Sequence, residues 1–215
     1  MIKTSGLKDF NLFENDITDE AFDYYSKQSV LSCDTETRGL VIPRDRLCLI
    51  QLCDKNDVVS VVRFASKEAF QKKSQNLVKL LEDEKILKLF HFARFDIAVI
   101  KQYLKCDTNN VFCTKIASKL VRTYTDRHSL KELTYELLKI SLDKSNQTSD
   151  WASSELTDSQ IEYACNDVKV LIPIYEKIIA MLERENLKEL SFELSRALKV
   201  VTQADLLGYH SIFEH

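Results

Sequence analysis

The feature that most constrains this chain is a pair of carboxylates, Asp34 and Glu36, set inside the run VLSCDTETRGL. Val30 and Leu31 are apolar and suit a buried strand over residues 30 to 36. Side chains alternate faces along a strand, so residues two apart leave the same face. Both acids therefore point one way. Like charges side by side on a core strand are costly without compensation. A bound divalent cation is the usual compensation. A strand end where both acids reach water is the plainer alternative.

Two further segments weigh against that alternative. HFARFD, residues 91 to 96, follows the strand-like run KILKLFH and opens a helix. α/β proteins commonly place active-site groups at such junctions. Asp96 falls in the first helical turn, where an acid also satisfies the helix dipole. His91 can be a working group or a satisfied histidine at a strand end. YACND, residues 163 to 167, spaces Tyr163 and Asp167 four apart, on one face of a helix. Together the segments supply Asp34, Glu36, Asp96 and Asp167, with the Tyr163 phenol beside them. Hard oxygen ligands without a Cys or His cluster suit Mg²⁺ or Mn²⁺ rather than zinc. Four carboxylates can hold two such ions about 4 Å apart, an arrangement suited to phosphoryl transfer.

At 215 residues the chain suffices for one domain with appendages and a substantial core. With only three Gly and two Pro it leaves little room for flexible linkers or a Gly-rich phosphate loop. A net charge of -3 and a pI near 5.9 do not suit a molecule that coats long nucleic acid. A small nucleic-acid substrate held through metals and local basic groups remains compatible. Six cysteines without a CxxC pair read as buried free thiols. The polar, acidic first thirty residues and the lack of a long apolar run give an expectation of cytoplasm and no membrane.

Periodicity predicts a loosely held lead-in over 1 to 16, then a helix over 18 to 28. Strands at 46 to 54 and 57 to 64 form a hairpin, and a helix spans 67 to 82. A strand at 85 to 91, a helix at 93 to 104, a short strand at 111 to 114 and helices at 115 to 121 and 130 to 140 follow. Residues 141 to 150 are the most loop-like. Thr157 and Gln160 form a capping box for a long helix reaching Glu183, with Pro173 a kink or break. A last helix spans 187 to 207, apolar at Leu187, Leu190, Leu194, Leu198 and Val201, with Gly208 as its stop. The pattern is α/β, a mixed sheet flanked by helices.

DTET, HFARFD and YACND resemble the three exonuclease motifs of the DEDD superfamily of 3′-5′ exonucleases. Tyr163, four before the last Asp, matches the tyrosine subclass; the His position of the other subclass holds Glu162. RDRLCLIQL, KLFHFARFD, VFCTKIASKL and SDW are similar to the RNase D family, and within it to the short nanoRNase C enzymes. The resemblance covers roughly residues 10 to 185 and implies an RNase H-like sheet of five strands, with 186 to 215 a C-terminal helix and tail. It implies a 3′-5′ exoribonuclease that cuts short oligoribonucleotides, dinucleotides among them, to nucleoside 5′-monophosphates. Asp34, Glu36, Asp96 and Asp167 would hold two Mg²⁺ or Mn²⁺ ions, and Tyr163 would orient the attacking water. Thr35, Leu40 and His91 would meet substrate, with Leu40 either a wedge between bases or a core residue. A homo-oligomer, an octamer, is also implied. The alternatives are RNase D-like trimming of structured RNA 3′ ends and an inactive nucleic-acid-binding module. RNase D proper carries further helical domains for which this chain has no counterpart, and Ser154, Glu155 and Leu156 stand where it has Arg-Pro-Leu.

The segment from Lys115 to Lys131 is locally basic. Arg122, Tyr124, Arg127 and His128 there form either a pocket for the far 5′-phosphate of a dinucleotide or a solvated helix face. Trp151, the only tryptophan, either stacks on a base or packs in the core.

Overall fold

The computed structural model describes residues 7, 9–71, 74–143 and 149–212. Six strands form one sheet: β1 (Phe10–Glu14), β2 (Val30–Thr37), β3 (Leu47–Cys53), β4 (Val59–Arg63), β5 (Leu87–Phe90) and β6 (Val111–Cys113). Their spatial order is β1-β4-β3-β2-β5-β6. The middle strands β4, β3 and β2 are antiparallel neighbours, whereas β1 runs parallel to β4, and β5 and β6 continue parallel to β2. All seven residues of β3, LCLIQLC, are buried, because helices cover both faces of the central sheet.

The helices are α1 (Asp19–Tyr25), α2 (Gln75–Glu82), α3 (Ala93–Leu104), α4 (Thr114–Val121), α5 (Leu130–Leu138), α6 (Asp158–Lys169), α7 (Leu171–Arg184) and α8 (Lys188–Leu206). On one face α3 packs with α1 and α2 over Leu31, Cys33, Ile50, Leu52 and Val62. On the other, α6 lays Tyr163, Ala164, Cys165 and Val168 over Cys48, Leu49, Val59 and Val61. All six cysteines are buried free thiols. Among the described residues no helix is long and apolar enough to cross a membrane.

The structure corrects the sequence reading in several places. The sheet has six strands, not five, because the lead-in contains β1. The helix expected over 67 to 82 is a 3-10 turn (Lys67–Gln71) followed by α2. The long helix after the Thr157 capping box breaks at Val170, three residues before Pro173. Pro173 then lies in the first turn of α7, where its missing N–H breaks no helical bond. The expected loop 141 to 150 lies partly outside the described residues.

α8 packs back onto the rest of the chain, meeting α3, α4, α7 and β6. It does so through Leu198 and through Ser191, Ser195 and Thr202, which are small enough for close approach. Of the apolar stripe read from the sequence, Leu198 is buried while Leu190 and Leu194 are exposed. Phe112 of β6 ties this layer together, its ring centroid 5.0 Å from both Tyr175 of α7 and Phe192 of α8. Phe112→Ala is therefore expected to cost about 3–5 kcal/mol in urea unfolding, and Leu190→Ala within about 0.5 kcal/mol. A Phe112→Ala loss no larger than the Leu190→Ala loss would mean that the α8 layer is not part of the core.

Candidate active site

Alternation along β2 sends its side chains into two different layers. Asp34 and Glu36 are half-buried on the side of α6, while Thr35 enters the α3 layer. There its hydroxyl donates to Asp96 Oδ1 at 2.7 Å. Asp96 is 3% exposed in the first turn of α3, which starts where β5 ends. Tyr163 and Asp167 come from α6, whose start is fixed by the Thr157–Gln160 capping box. Both are buried, and the Tyr163 ring lies 5.9 Å from that of Trp151. Trp151 is thus a core residue supporting the site. Asp34, Glu36, Asp96, Tyr163 and Asp167 line one cleft of about 790 Å³. It opens at the carboxyl ends of β2 and β5, the usual position for an α/β site.

Burial pushes the Asp96 carboxyl above the usual carboxylate range, opposed by the Thr35 hydroxyl and by the backbone N–H groups of Asp96 and Thr35. Burial also raises the Tyr163 phenol well above its ordinary value, and the negative charges of Asp167, Glu36 and Asp34 raise it further. Its hydroxyl bonds to Asp167. The phenol is thus held as a hydrogen-bond donor to Asp167.

Among the described residues no three His, Cys, Asp or Glu side chains stand close enough together to hold a metal ion by themselves. The donor set nonetheless suits a hard divalent cation, with four carboxylates on one cleft and no thiol or imidazole cluster. Gln51, which the sequence reading passed over, adds to this. It pairs across the strands with Asp34, is fully buried, and neither amide atom finds a protein partner. A buried amide of this kind is costly.

The loop after β2 presents Leu40 at 83% exposure, so Leu40 is not a core residue. That loop is braced from behind. Asp45 accepts from Val41 N–H at 2.9 Å and from Arg44, and Tyr103 donates to the Ile42 carbonyl at 2.6 Å. A Cβ on Gly39 would come within 2.4 Å of Asp45 Oδ2, so a larger residue there would have to displace the Asp45 carboxylate. Across the cleft, the Thr114 hydroxyl donates to the Phe90 carbonyl at 3.1 Å and so accepts from His91 Nδ1, 2.9 Å away. Phe92 caps α3 in a left-handed conformation, φ 70, and is half-exposed with the Lys115 ammonium 4.2 Å from its ring centroid. A bulky residue rarely adopts that backbone, and such strain gathers at functional sites.

The basic segment is placed differently from its sequence reading. Arg122 is 1% exposed, and its guanidinium is taken by Glu136, the Ser118 hydroxyl and the Arg127 carbonyl. Tyr124 donates to Glu136, and His128 Nδ1 pairs with the Ser118 hydroxyl at 2.8 Å. Arg127 is exposed, with Glu132 3.8 Å away. None of these four lines the carboxylate cleft. The cations that do are Arg38, Lys115 and Lys131.

Residues 11–183 match the 3′-5′ exonuclease family. The chain belongs to that family. It is 42% identical to Brucella melitensis NrnC, with a TM-score of 0.89, covering 96% of this chain and 98% of that one. Other structures of that protein hold pGG or Mg²⁺. The exonuclease is also 34% identical to DNA polymerase I of Aquifex aeolicus over 84% of its own length, and 30% identical to ribonuclease D of Gluconacetobacter diazotrophicus over 74%. It spans only 28% and 39% of those two relatives. The mixed sheet flanked by helices is the architecture of the exonuclease structures it matches.

The Thr35–Asp96 bond makes a specific expectation. Thr35→Val keeps the shape but removes the donor, and losing a hydrogen bond to a buried carboxylate costs about 1–3 kcal/mol. Exonuclease activity should fall about 5- to 150-fold, with weaker Mg²⁺ binding in a calorimetric titration. Thr35→Ser should recover most of both. Wild-type behaviour of the valine variant would remove Thr35 from the site.

Proposed function

We propose that this exonuclease hydrolyses very short oligoribonucleotides, dinucleotides above all, from the 3′ end, releasing nucleoside 5′-monophosphates. The observation that carries the reading is the cleft itself. Its carboxylates and Tyr163 share about 790 Å³ with Lys115, Ser129 and Lys131. That volume is in the range of pockets that enclose small ligands, about 300–1,000 Å³. Acidic and basic groups line the same cleft, and the net charge of -3 disfavours long chains. The pGG held by NrnC, a relative over nearly its whole length, supports the same reading.

Asp34, Glu36, Asp96 and Asp167 would hold the divalent cations, Mg²⁺ or Mn²⁺. Bound there, such ions supply charge neutralisation at the scissile phosphate and acidify the attacking water. The protein's own part is positional. Tyr163, still protonated, donates toward the attacking water or the phosphate and fixes its approach. The buried Asp96 is held in place by Thr35. Lys115 and Lys131 receive the phosphate farther from the scissile bond, the role that Arg122 cannot take while it pairs with Glu136.

Two tests follow. Tyr163→Phe removes only the hydroxyl and should slow the chemical step by about 10²-fold or more, with Mg²⁺ affinity little changed; loss of metal affinity instead would make Tyr163 structural. In the second, rates are compared on dinucleotides with and without a 5′-phosphate and on a ten-mer. The phosphorylated dinucleotide should lead by about 10-fold or more, since each charge-assisted bond contributes roughly 1.5–3 kcal/mol. Equal rates on all three would return the protein to general 3′-end trimming of RNase D type.

A further inference from the structure

Three polar atoms without a protein partner lie behind the carboxylates rather than in the cleft: Oε1 and Nε2 of Gln51 and Oγ of Ser32. Both side chains are fully buried. Gln51 stands directly opposite Asp34 in the β2–β3 ladder, and Ser32 precedes Asp34 by two on the same strand face. The rest of the sheet around Gln51 is apolar. Leu49 and Cys53 flank it along β3, Val61 pairs with it from β4, and all three belong to the layer under α6. An orphaned amide in such a place costs free energy, and an apolar side chain of the same shape would remove that cost. Asp34 lines the cleft and Gln51 does not, so Gln51 meets a bound ion only through Asp34.

We propose that Gln51 is a positioning residue for Asp34, its Nε2–H donating to the Asp34 carboxylate and its Oε1 accepting from the Ser32 hydroxyl when a divalent ion is bound. The proposal rests on the reading of Asp34 as a metal ligand. Residues directly opposite in an antiparallel pair have Cβ atoms about 4.5–5.5 Å apart, and diagonal neighbours stay within reach of a long side chain. Gln51 has Asp34 opposite and Ser32 on the diagonal. Carboxylates that bind metal ions are themselves held by hydrogen bonds from a surrounding shell, which fixes their orientation. The residue type suits that role. A lysine or arginine opposite Asp34 would compete with the cation, and an acid would add a fifth like charge to the site. A neutral amide donates to Asp34 and leaves it fully anionic. Ser32 sets which way the amide faces, because a hydroxyl donor on its side holds Oε1 there and turns Nε2 toward Asp34. All three orphaned atoms are then satisfied together, and the cost of burying them is offset in the metal-bound state.

The test titrates Mg²⁺ calorimetrically into the full-length wild type, Gln51→Met, Ser32→Ala, the double variant and Asp34→Ala, and follows urea unfolding of each with and without Mg²⁺. Gln51→Met keeps the length of the side chain and loses the amide. Without Mg²⁺ it should unfold at the same urea concentration as wild type or a higher one, because an orphaned group has gone. Its Mg²⁺ affinity should fall about 10- to 100-fold, the usual loss when the partner of a metal ligand is removed. The stabilisation that Mg²⁺ confers should shrink with it. Ser32→Ala should weaken Mg²⁺ binding less and add little on top of Gln51→Met, since both act through one amide. Raised Mg²⁺ should restore much of the exonuclease rate of Gln51→Met, with KM for a dinucleotide little changed. Asp34→Ala separates this inference from the reading beneath it. Unaltered Mg²⁺ binding in Asp34→Ala would remove Asp34 as a ligand, and the role of Gln51 with it. Binding lost in Asp34→Ala but of wild-type strength in Gln51→Met would overturn the positioning role alone, as would a Gln51→Met destabilised equally with and without Mg²⁺. Should Gln51→Met fail to fold, Ser32→Ala decides: weaker Mg²⁺ binding supports the relay, and wild-type affinity overturns it.

Discussion

Like charge held out of water is the constraint around which this fold is arranged. Asp34, Glu36, Asp96 and Asp167 lie along one cleft, and two of the four are almost wholly buried. Carboxylates so placed oppose folding unless dipoles, hydrogen bonds or cations answer them. The fold meets that with a sheet covered on both faces, whose central strands anchor the charged ends in a rigid core. It also supplies local answers. The Thr35 hydroxyl reaches Asp96, and Asp96 lies in the first turn of a helix, where the dipole favours an anion. The remaining cost is the driving force for recruiting a divalent ion. A site that relaxed without metal would have less to gain from binding it.

One consequence concerns Thr35, the residue between the two acids of β2. Strand alternation sends it away from the face of Asp34 and Glu36, toward Asp96 in the opposite layer. One three-residue stretch therefore touches both sides of the sheet and joins α3 to the α6 side of the site. A register slip of one residue would invert all three roles. The fully buried run of β3, paired with Asp34 through Gln51 and with Glu36 through Leu49, holds that register.

The carboxylates and Tyr163 were legible in the sequence because their signals are local: period two in DTE, a strand-to-helix junction in HFARFD, and one helical turn in YACND. What escaped depended on distant partners. β1 alternates between exposed and half-buried residues and is completed only by pairing with Val59–Arg63, some fifty positions on. Its FNLFE carries little strand signal by itself. Arg122 read as either part of a phosphate pocket or part of a solvated helix face, because it stands among cations. Nothing nearby announces that Glu136, across a turn and on the next helix, claims its guanidinium. Gln51 looked like one polar residue in a strand and gains meaning only from lying opposite Asp34. The stripe of α8 misled for a different reason. The helix approaches its neighbours through serines and threonine, and leaves leucines outside. Periodicity names a face but does not say which face a tightly packed layer prefers.

The strained and exposed groups around the cleft are best understood against that rigid background. Leu40 is held in water by a loop in which Gly39, Asp45 and Tyr103 leave the backbone little choice. Phe92 is held in a left-handed backbone at the mouth of α3. Each arrangement costs free energy and contributes no burial of its own. A fold selected only for stability would exchange Leu40 for a polar residue and Phe92 for glycine or asparagine. Both side chains face the space between the carboxylates and the α8 end, and α8 is pinned to the same helix that Phe92 caps through Arg94 and Asp205. The costs therefore fall in one place, between the carboxylate cleft and the apolar cavity at the end of α8.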